Sequence, residues 1–187
     1  MRRSGNLQPA VFLDRDGVIN RAIIYEQLPY PPRRLEELTI LDGVKEAVSL
    51  LHNHGFITAV VTNQPDIVRG VSTLDSVLDL HKKISSKTGL QNFYLCVHDE
   101  CDRCECRKPN TGLIKRAVMD LDLDISKSFM VGDRWKDIEA GQRVGCQCFY
   151  IDNNYLERRP IQPFQRVTSL LEAAILITGD FNAKKRQ

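Results

Sequence analysis

The stretch "AVFLDRDGVIN", residues 10–20, decides how the rest of the chain is read. Residues 10–14 begin as an uninterrupted apolar run, which reads as a buried strand, and polarity returns abruptly at Asp14. Asp16 follows two residues on, and Gly17 allows the chain to turn at once. Ligands of open α/β folds collect beyond the carboxyl ends of the strands, so an apolar strand running into Asp-x-Asp-Gly marks a candidate site. That reading requires strands and helices to alternate along the remaining sequence.

They do. Apolar Val44, Ala47, Val48 and Leu51 follow helical spacing and predict a helix over 42–55, with Asp42 placed to cap it and Gly55 to stop it. A strand is predicted over 56–63 and a helix over 72–89, the latter with Leu74, Val77, Leu78 and Ile84 turned inward. Further strands are predicted over 92–98, 128–133 and 146–152, and further helices over 111–123, 135–145 and 168–178. The alternation predicts an α/β, three-layer Rossmann-like fold with a central, mostly parallel sheet. The chain is read as a single domain of 187 residues, with its core over about 10–178 and a polar, basic tail over 179–187. Residues 20–40, which include "LPYPPRR", lack periodicity and are predicted to form a flap over the mouth of a site.

With 42% hydrophobic and 27% charged residues and a formal charge of +2, composition points to neither a nucleic-acid nor a membrane partner. Arg2 and Arg3 are followed by no apolar signal core, and no apolar run approaches the roughly 20 residues of a membrane span. A cytoplasmic monomer is expected.

The chemistry is read from a set of residues. Asp14 and Asp16 end the first strand, Thr62, Asn63 and Gln64 end the second, and Asp133 ends the strand over 128–133, with Asp137 four residues further. A lone Asp at a strand end is commonly a turn-former or cap, so the case rests on the ordered set. Clustered carboxylates repel unless a cation holds them, and Mg²⁺ suits Asp14, Asp133 and Asp137, directly or through water. Mg²⁺ held by few carboxylates takes phosphate oxygens as further ligands, which implies a phosphorylated substrate. Lys108 would add positive charge there, and Thr62 would add a hydrogen bond.

"CVHDECDRCECRKPN", residues 96–110, holds four of the six cysteines. Cys96-x-His98 and Cys104-x-Cys106 are two short pairs that can close a tetrahedral Zn²⁺ shell, and a closed shell is structural. Its task would be to fold the 96–107 loop and to hold Arg107 and Lys108 at the phosphate site. Cys101-x-x-Cys104 is also a zinc spacing, which leaves open whether Cys101 replaces His98. A nucleic-acid-binding zinc module would need a basic recognition helix, which the sequence lacks. Cys146 and Cys148 are read as core thiols, and His52, His54 and His81 as surface or packing residues.

In order, "FLDRDGVIN" (12–20), "VVTNQ" (60–64), "CRKPNTG" (106–112) and "VGDRWKDIEAG" (131–141) resemble the four motifs of the haloacid dehalogenase superfamily of phosphohydrolases. The resemblance implies Asp14 as nucleophile, Asp16 as acid/base, Thr62 and Lys108 on the phosphate, and Mg²⁺ held by Asp14, the Asp16 backbone carbonyl and Asp133. The Cys/His loop before Arg-Lys-Pro narrows it to the zinc-containing D-glycero-D-manno-heptose 1,7-bisphosphate phosphatases and the related histidinol-phosphatases, compact enzymes without a large cap domain. That implies removal of a sugar 7-phosphate through an aspartyl-phosphate. Arg69 and Arg107 are then candidates to grip the sugar bisphosphate, beside Asn63, Gln64 and Lys108. Two departures leave the substrate open. Pro65 stands where a small residue such as Ser is expected, and Ala22, Ile23 and Ile24 offer no polar side chain after the first motif. Histidinol phosphate or another small monophosphate is the alternative substrate, and a non-catalytic, zinc-stabilised binding protein is the contrasting reading.

Overall fold

The computed structural model describes residues 7–185, with side chains described through Gly179; Arg2, Arg3 and the basic side chains of the tail lie outside the described residues. The strands are β1 (Ala10–Leu13), β2 (Ile23–Tyr25), β3 (Leu28–Tyr30), β4 (Ile57–Asn63), β5 (Asn92–Cys96), β6 (Phe129–Gly132), β7 (Gln147–Ile151) and β8 (Gln165–Val167). The α-helices are α1 (Val44–Asn53), α2 (Leu74–Thr88), α3 (Gly112–Asp120), α4 (Trp135–Val144) and α5 (Leu170–Lys185).

Six strands form one sheet in the order β5-β4-β1-β6-β7-β8, and every neighbouring pair is parallel. Alternation along β1 divides the core between two faces. Val11 and Leu13 pack with residues of α1 and α5, whereas Ala10 and Phe12 pack with residues of α3 and α4. All four β1 side chains are fully buried, as expected of a central parallel strand covered on both faces. The result is the three-layer α/β arrangement expected from the sequence. Chain order reverses at β1, flanked by β4 on one side and β6 on the other, so a cleft opens at the carboxyl ends of these three strands.

Several local expectations need correction. In α2, Val77 and Ile84 are buried with Leu80 and His81, but Leu74 and Leu78 are exposed. The face is set by His81, which stacks on Phe93 at 4.6 Å and lies 3.2 Å from Nη1 of the fully buried Arg15. Asp42 does not cap α1; its N-cap is Gly43, in the left-handed region at φ 77° and without a side-chain cap. The aperiodic stretch contains the antiparallel hairpin β2-β3, turned by Glu26 and Gln27 at φ 49° and 60°. Two consecutive positive φ values are those of a two-residue type I′ turn. Gln27 accepts a 2.9 Å hydrogen bond from the Leu156 amide at its carbonyl, which ties the hairpin tip to the segment after β7. The last helix continues past residue 178 to Lys185. Among the described residues no helix is long and apolar enough to cross a membrane.

Candidate active site

The register of β1 with β4 and β6 brings Asp14, Thr62 and Asp133 to one rim: Leu13 pairs with Val60 and with Val131, so Asp14, Thr62 and Asp133 each lie one or two residues past that level. Lys108 enters from the loop before α3. Its Nζ lies 2.6 Å from Asp14 Oδ1 and 2.7 Å from Asp137 Oδ1, and donates a further 2.6 Å hydrogen bond to the carbonyl of Val61. The lysine is only 2% exposed, so these three oxygens replace its hydration. Asn63 fixes the base of this side chain, accepting from the Lys108 amide at 3.1 Å and donating to its carbonyl at 3.1 Å.

Both oxygens of Asp137 have protein partners. Its Oδ1 faces Lys108, and its Oδ2 accepts the Arg134 amide at 3.0 Å at the start of α4. Asp133 is fully buried; its Oδ2 accepts from Tyr155 at 2.7 Å and from Asn153 at 3.2 Å, and its Oδ1 has no partner. Ligand oxygens of Asp14, Asp133 and Asp137 lie within 4.8 Å of one another. Burial pushes the Asp14 carboxyl up to about 7; Lys108 opposes the rise, and Asp137 and Asp16 add to it. Burial likewise raises Asp133 well above the carboxylate range, reinforced by Asp14 and Asp137. Burial works against the charge on Lys108, but Asp137 and Asp14 outweigh it and hold the lysine protonated. Two buried carboxylates with raised affinity for protons and one orphaned oxygen are what a hard divalent cation would relieve, so the residues fit Mg²⁺.

Glycine makes the approach possible at two points. A Cβ on Gly17, at φ 91°, would lie 1.7 Å from Asp133 Oδ2, and one on Gly132 would lie 2.2 Å from the Cβ of Asp137. Asp16 lines the same cleft as Asp14. It accepts from Arg15 at 3.1 and 3.0 Å, from Asn20 at 2.9 Å and from Gln64 at 2.7 Å. Thr62 Oγ1 accepts from Gln64 at 2.9 Å, which leaves its own O–H free to donate.

The cleft is a cavity of ≈ 210 Å³ whose walls include Leu28, Pro29, Tyr30 and Pro31 of the hairpin segment, Pro65, and a rim of charged residues. On that rim Arg69 pairs with Asp99 at 2.6 and 2.7 Å and lies 3.6 Å from Asp66. Arg107 donates to the His98 carbonyl at 3.1 Å, and Arg134 donates to Glu157 at 3.0 Å. Beside the rim, Cys96, His98, Cys104 and Cys106 place their ligand atoms within 4.8 Å of one another. The Cys96 and Cys106 sulfurs are 3.0 Å apart, and His98 Nδ1 lies 3.3 Å from Cys106 and 3.6 Å from Cys96. Three thiols and an imidazole gathered so closely form a zinc-type donor set. Cys101 is exposed and outside it, so the alternative spacing through Cys101 is not the one that forms. The Arg107 amide points at Cys104 Sγ, 3.3 Å away, which couples this cluster to the residue before Lys108.

Comparison with known proteins places this geometry. The chain is 34% identical over 167 residues to the D-glycero-D-manno-heptose-1,7-bisphosphate 7-phosphatase of Thermosynechococcus vestitus, covering 81% of this chain and 82% of that one. It is 32% identical over 149 residues to the D-glycero-beta-D-manno-heptose-1,7-bisphosphate 7-phosphatase of Pasteurella multocida, covering 73% and 77%. Residues 105–173 match the HAD-hydrolase-like family model. The chain belongs to the haloacid dehalogenase-like phosphatase family. This HAD-like phosphatase is therefore a phosphoric monoester hydrolase. Its fold overlays the crystal structure of the D,D-heptose 1,7-bisphosphate phosphatase from B. bronchiseptica complexed with magnesium and phosphate, with a TM-score of 0.80 at 22% identity, covering 92% of this chain and 99% of that one.

Within this HAD-like phosphatase the residues singled out from the sequence fall into three groups. Asp14, Asp16, Thr62, Asn63, Lys108 and Asp137 line the cleft, with Asp133 buried beside them. Gln64 is buried behind it and orients Asp16 and Thr62, whereas Arg69 and Arg107 are on the rim. Sequence reading missed Tyr155 and Asn153, which orient Asp133, and the buried Arg15 behind Asp16. The polar run "DNNYLERR" directly after a buried strand is the one signal that marks Tyr155 and Asn153. Cys146 and Cys148 are buried, and burial pushes both thiols up to about 12. His52 bonds Thr58 at 2.8 Å and His54 the Leu50 carbonyl at 2.8 Å, both as packing residues.

Proposed function

We propose that this enzyme is a Mg²⁺-dependent D-glycero-D-manno-heptose 1,7-bisphosphate 7-phosphatase that works through an aspartyl-phosphate on Asp14. The observation that carries the chemistry is the seat of Lys108 between Asp14 and Asp137, with the orphaned oxygen of Asp133 beside it. The substrate rests on the names of the relatives and on a cleft rimmed by Arg69, Arg107, Arg134 and Lys136. Asp14 and Asp133 would hold the metal, with the Asp16 backbone carbonyl as the resemblance implies. Asp137, both oxygens engaged, holds Lys108 in place instead. When bound, Mg²⁺ supplies positive charge against the carboxylates and the phosphoryl oxygens.

The free oxygen of Asp14 attacks phosphorus, and the bond from phosphorus to the sugar oxygen breaks. Asp16 delivers a proton to that leaving oxygen. It then accepts one from the water that attacks the aspartyl-phosphate, returning Asp14 and releasing inorganic phosphate. Lys108 and the Thr62 hydroxyl hold the equatorial oxygens, where positioning and charge account for most of phosphoryl-transfer catalysis. The Cys96, His98, Cys104 and Cys106 cluster would bind a structural Zn²⁺ that orders the loop carrying Arg107 and Lys108. Free thiols of this kind fit a reducing, cytoplasmic setting.

A phosphate-release panel with Mg²⁺ tests the substrate. Heptose 1,7-bisphosphate should give the highest kcat/KM, above fructose 1,6-bisphosphate and histidinol phosphate. A preference for histidinol phosphate would overturn the assignment while leaving the phosphatase chemistry intact.

A further inference from the structure

Every cation on the rim of the cleft is already paired with a carboxylate, and the pairs differ in how easily they open. Arg33 and Arg69 share Asp66, whose side chain is 6% exposed; Arg134 holds Glu157, 12% exposed; Arg69 also holds Asp99, 21% exposed. Glu100 is different. Its carboxylate is 67% exposed, and a single oxygen, Oε1, serves two cations, Lys136 and Arg107, the latter at 3.7 Å. Lys136 and Arg107 side chains are themselves only 15% and 12% exposed, so both are positioned by the fold while their shared anion is not. Arg107 is fixed further by its bond to the His98 carbonyl, and its buried Nε has no partner. Glu100, Arg107 and Lys136 line both the catalytic cleft and a second cavity of ≈ 260 Å³ that continues from it past Trp135 and Asn110. Lys108 also borders both cavities, and the reacting aspartate and this cation pair line one cleft, whose walls include Asp14, Arg107 and Lys136.

Resting on the bisphosphatase reading above, we propose that Glu100 is an internal stand-in for the second phosphate of the substrate: it occupies the seat between Lys136 and Arg107 in the free enzyme and leaves when a bisphosphate binds. A carboxylate and a phosphate cannot share two cations without strong like-charge repulsion, so binding of the second phosphate requires Glu100 to move out. Its exposure and its place on a single 3-10 turn, Glu100–Asp102, allow that movement without disturbing the sheet. The carboxylate thereby competes with the second phosphate and moderates the preference that Lys136 and Arg107 create for a bisphosphate. A monophosphate gains nothing from displacing it, whereas a bisphosphate exchanges one shared carboxylate oxygen for a phosphate whose several oxygens can bond the two cations separately.

The test compares KM for heptose 1,7-bisphosphate and for heptose 7-phosphate in the wild type, Glu100→Gln and Lys136→Met, with zinc content measured to confirm an intact loop. The ratio of monophosphate KM to bisphosphate KM should rise several-fold in Glu100→Gln and fall about tenfold in Lys136→Met, the loss expected for one charge-assisted contact. An unchanged ratio in either variant with zinc retained overturns the proposal. If the wild type turns over neither heptose, the heptose assignment falls, and the same ratio measured with fructose 1,6-bisphosphate and fructose 6-phosphate decides the role of Glu100 by the same criteria.

Discussion

Tyr155 donates a 2.7 Å hydrogen bond to Oδ2 of Asp133 and leaves the other buried oxygen of that carboxylate, Oδ1, with no protein partner. The pair lies 22 residues apart in sequence and is joined because the segment after β7 returns to Asp133 at the end of β6. Tyr155 is thus a positioning residue for Asp133, the carboxylate proposed to hold Mg²⁺. In Tyr155→Phe the Mg²⁺ concentration for half-maximal activity should rise about tenfold or more, the usual scale for losing a partner of a metal ligand. A magnesium titration of activity checks this; an unaltered half-saturation point would show that Asp133 is oriented without the tyrosine.

Lys108 neutralises two buried carboxylates at once. Replacing it with Met should destabilise the metal-free fold by on the order of 3 kcal/mol, because the carboxylates are left buried without their cation. Added Mg²⁺ should restore part of that loss. Denaturant unfolding with and without Mg²⁺ measures both, and phosphate release should fall by at least 10²-fold on the scale of losing one preorganised charge at the transferring group.

His81 gives the fold a pH dependence of its own. Burial, with Arg15 next and Asp16 opposing, lowers its pKa from 6.5 to about 4. A histidine kept neutral in the folded chain but free to charge in the unfolded one costs nothing above pH 6.5. Stability is lost as pH falls from there towards 4, and the loss then levels off. The difference corresponds to on the order of 3 kcal/mol at 1.36 kcal/mol per unit. Unfolding free energies of the wild type and His81→Gln, measured across this range, should converge as pH falls by about that amount; parallel curves would show that His81 does not titrate on unfolding.

Legibility in the sequence followed the physical origin of each feature. β1 was readable because both its faces are buried, so four apolar residues stand in a row before Asp14. The hairpin was not: Ile23, Ile24 and Tyr25 are exposed, Pro29 interrupts β3, and the Glu26-Gln27 turn carries none of the Asn-Gly or Asp-Gly signal of such turns. Leu74 and Leu78 were assigned to the core by hydrophobicity alone, whereas the need of buried Arg15 for an acceptor rotates His81 inward. Asp14, Lys108 and Asp137 were legible as a set because short motifs fix them at strand and helix ends. Tyr155 and Asn153 belong to no motif, and only the fold brings them to Asp133. The thiols are visible as a cluster, but spacing allows two solutions, and only the fold leaves Cys101 exposed and outside the group of Cys96, His98, Cys104 and Cys106.

The Cys96, His98, Cys104 and Cys106 cluster makes that distinction measurable. Purified protein should carry one Zn²⁺ per chain, Cys101→Ser should retain it, and Cys106→Ser should lose most of it. Elemental analysis of the three proteins suffices, and loss of zinc in Cys101→Ser would reassign the ligand set.

The nucleophile is the centre of the account. Asp16→Asn would slow both steps, since Asp16 is proposed as acid in the first and base in the second, so the acyl phosphate is best trapped in the wild type, quenched during turnover of heptose 1,7-bisphosphate with Mg²⁺. Acid quenching followed by borohydride reduction converts an aspartyl-phosphate to homoserine, which peptide mass spectrometry can locate. Homoserine at position 14 is the predicted result; substrate turnover with no reducible adduct at Asp14, or an adduct on another residue, would contradict it.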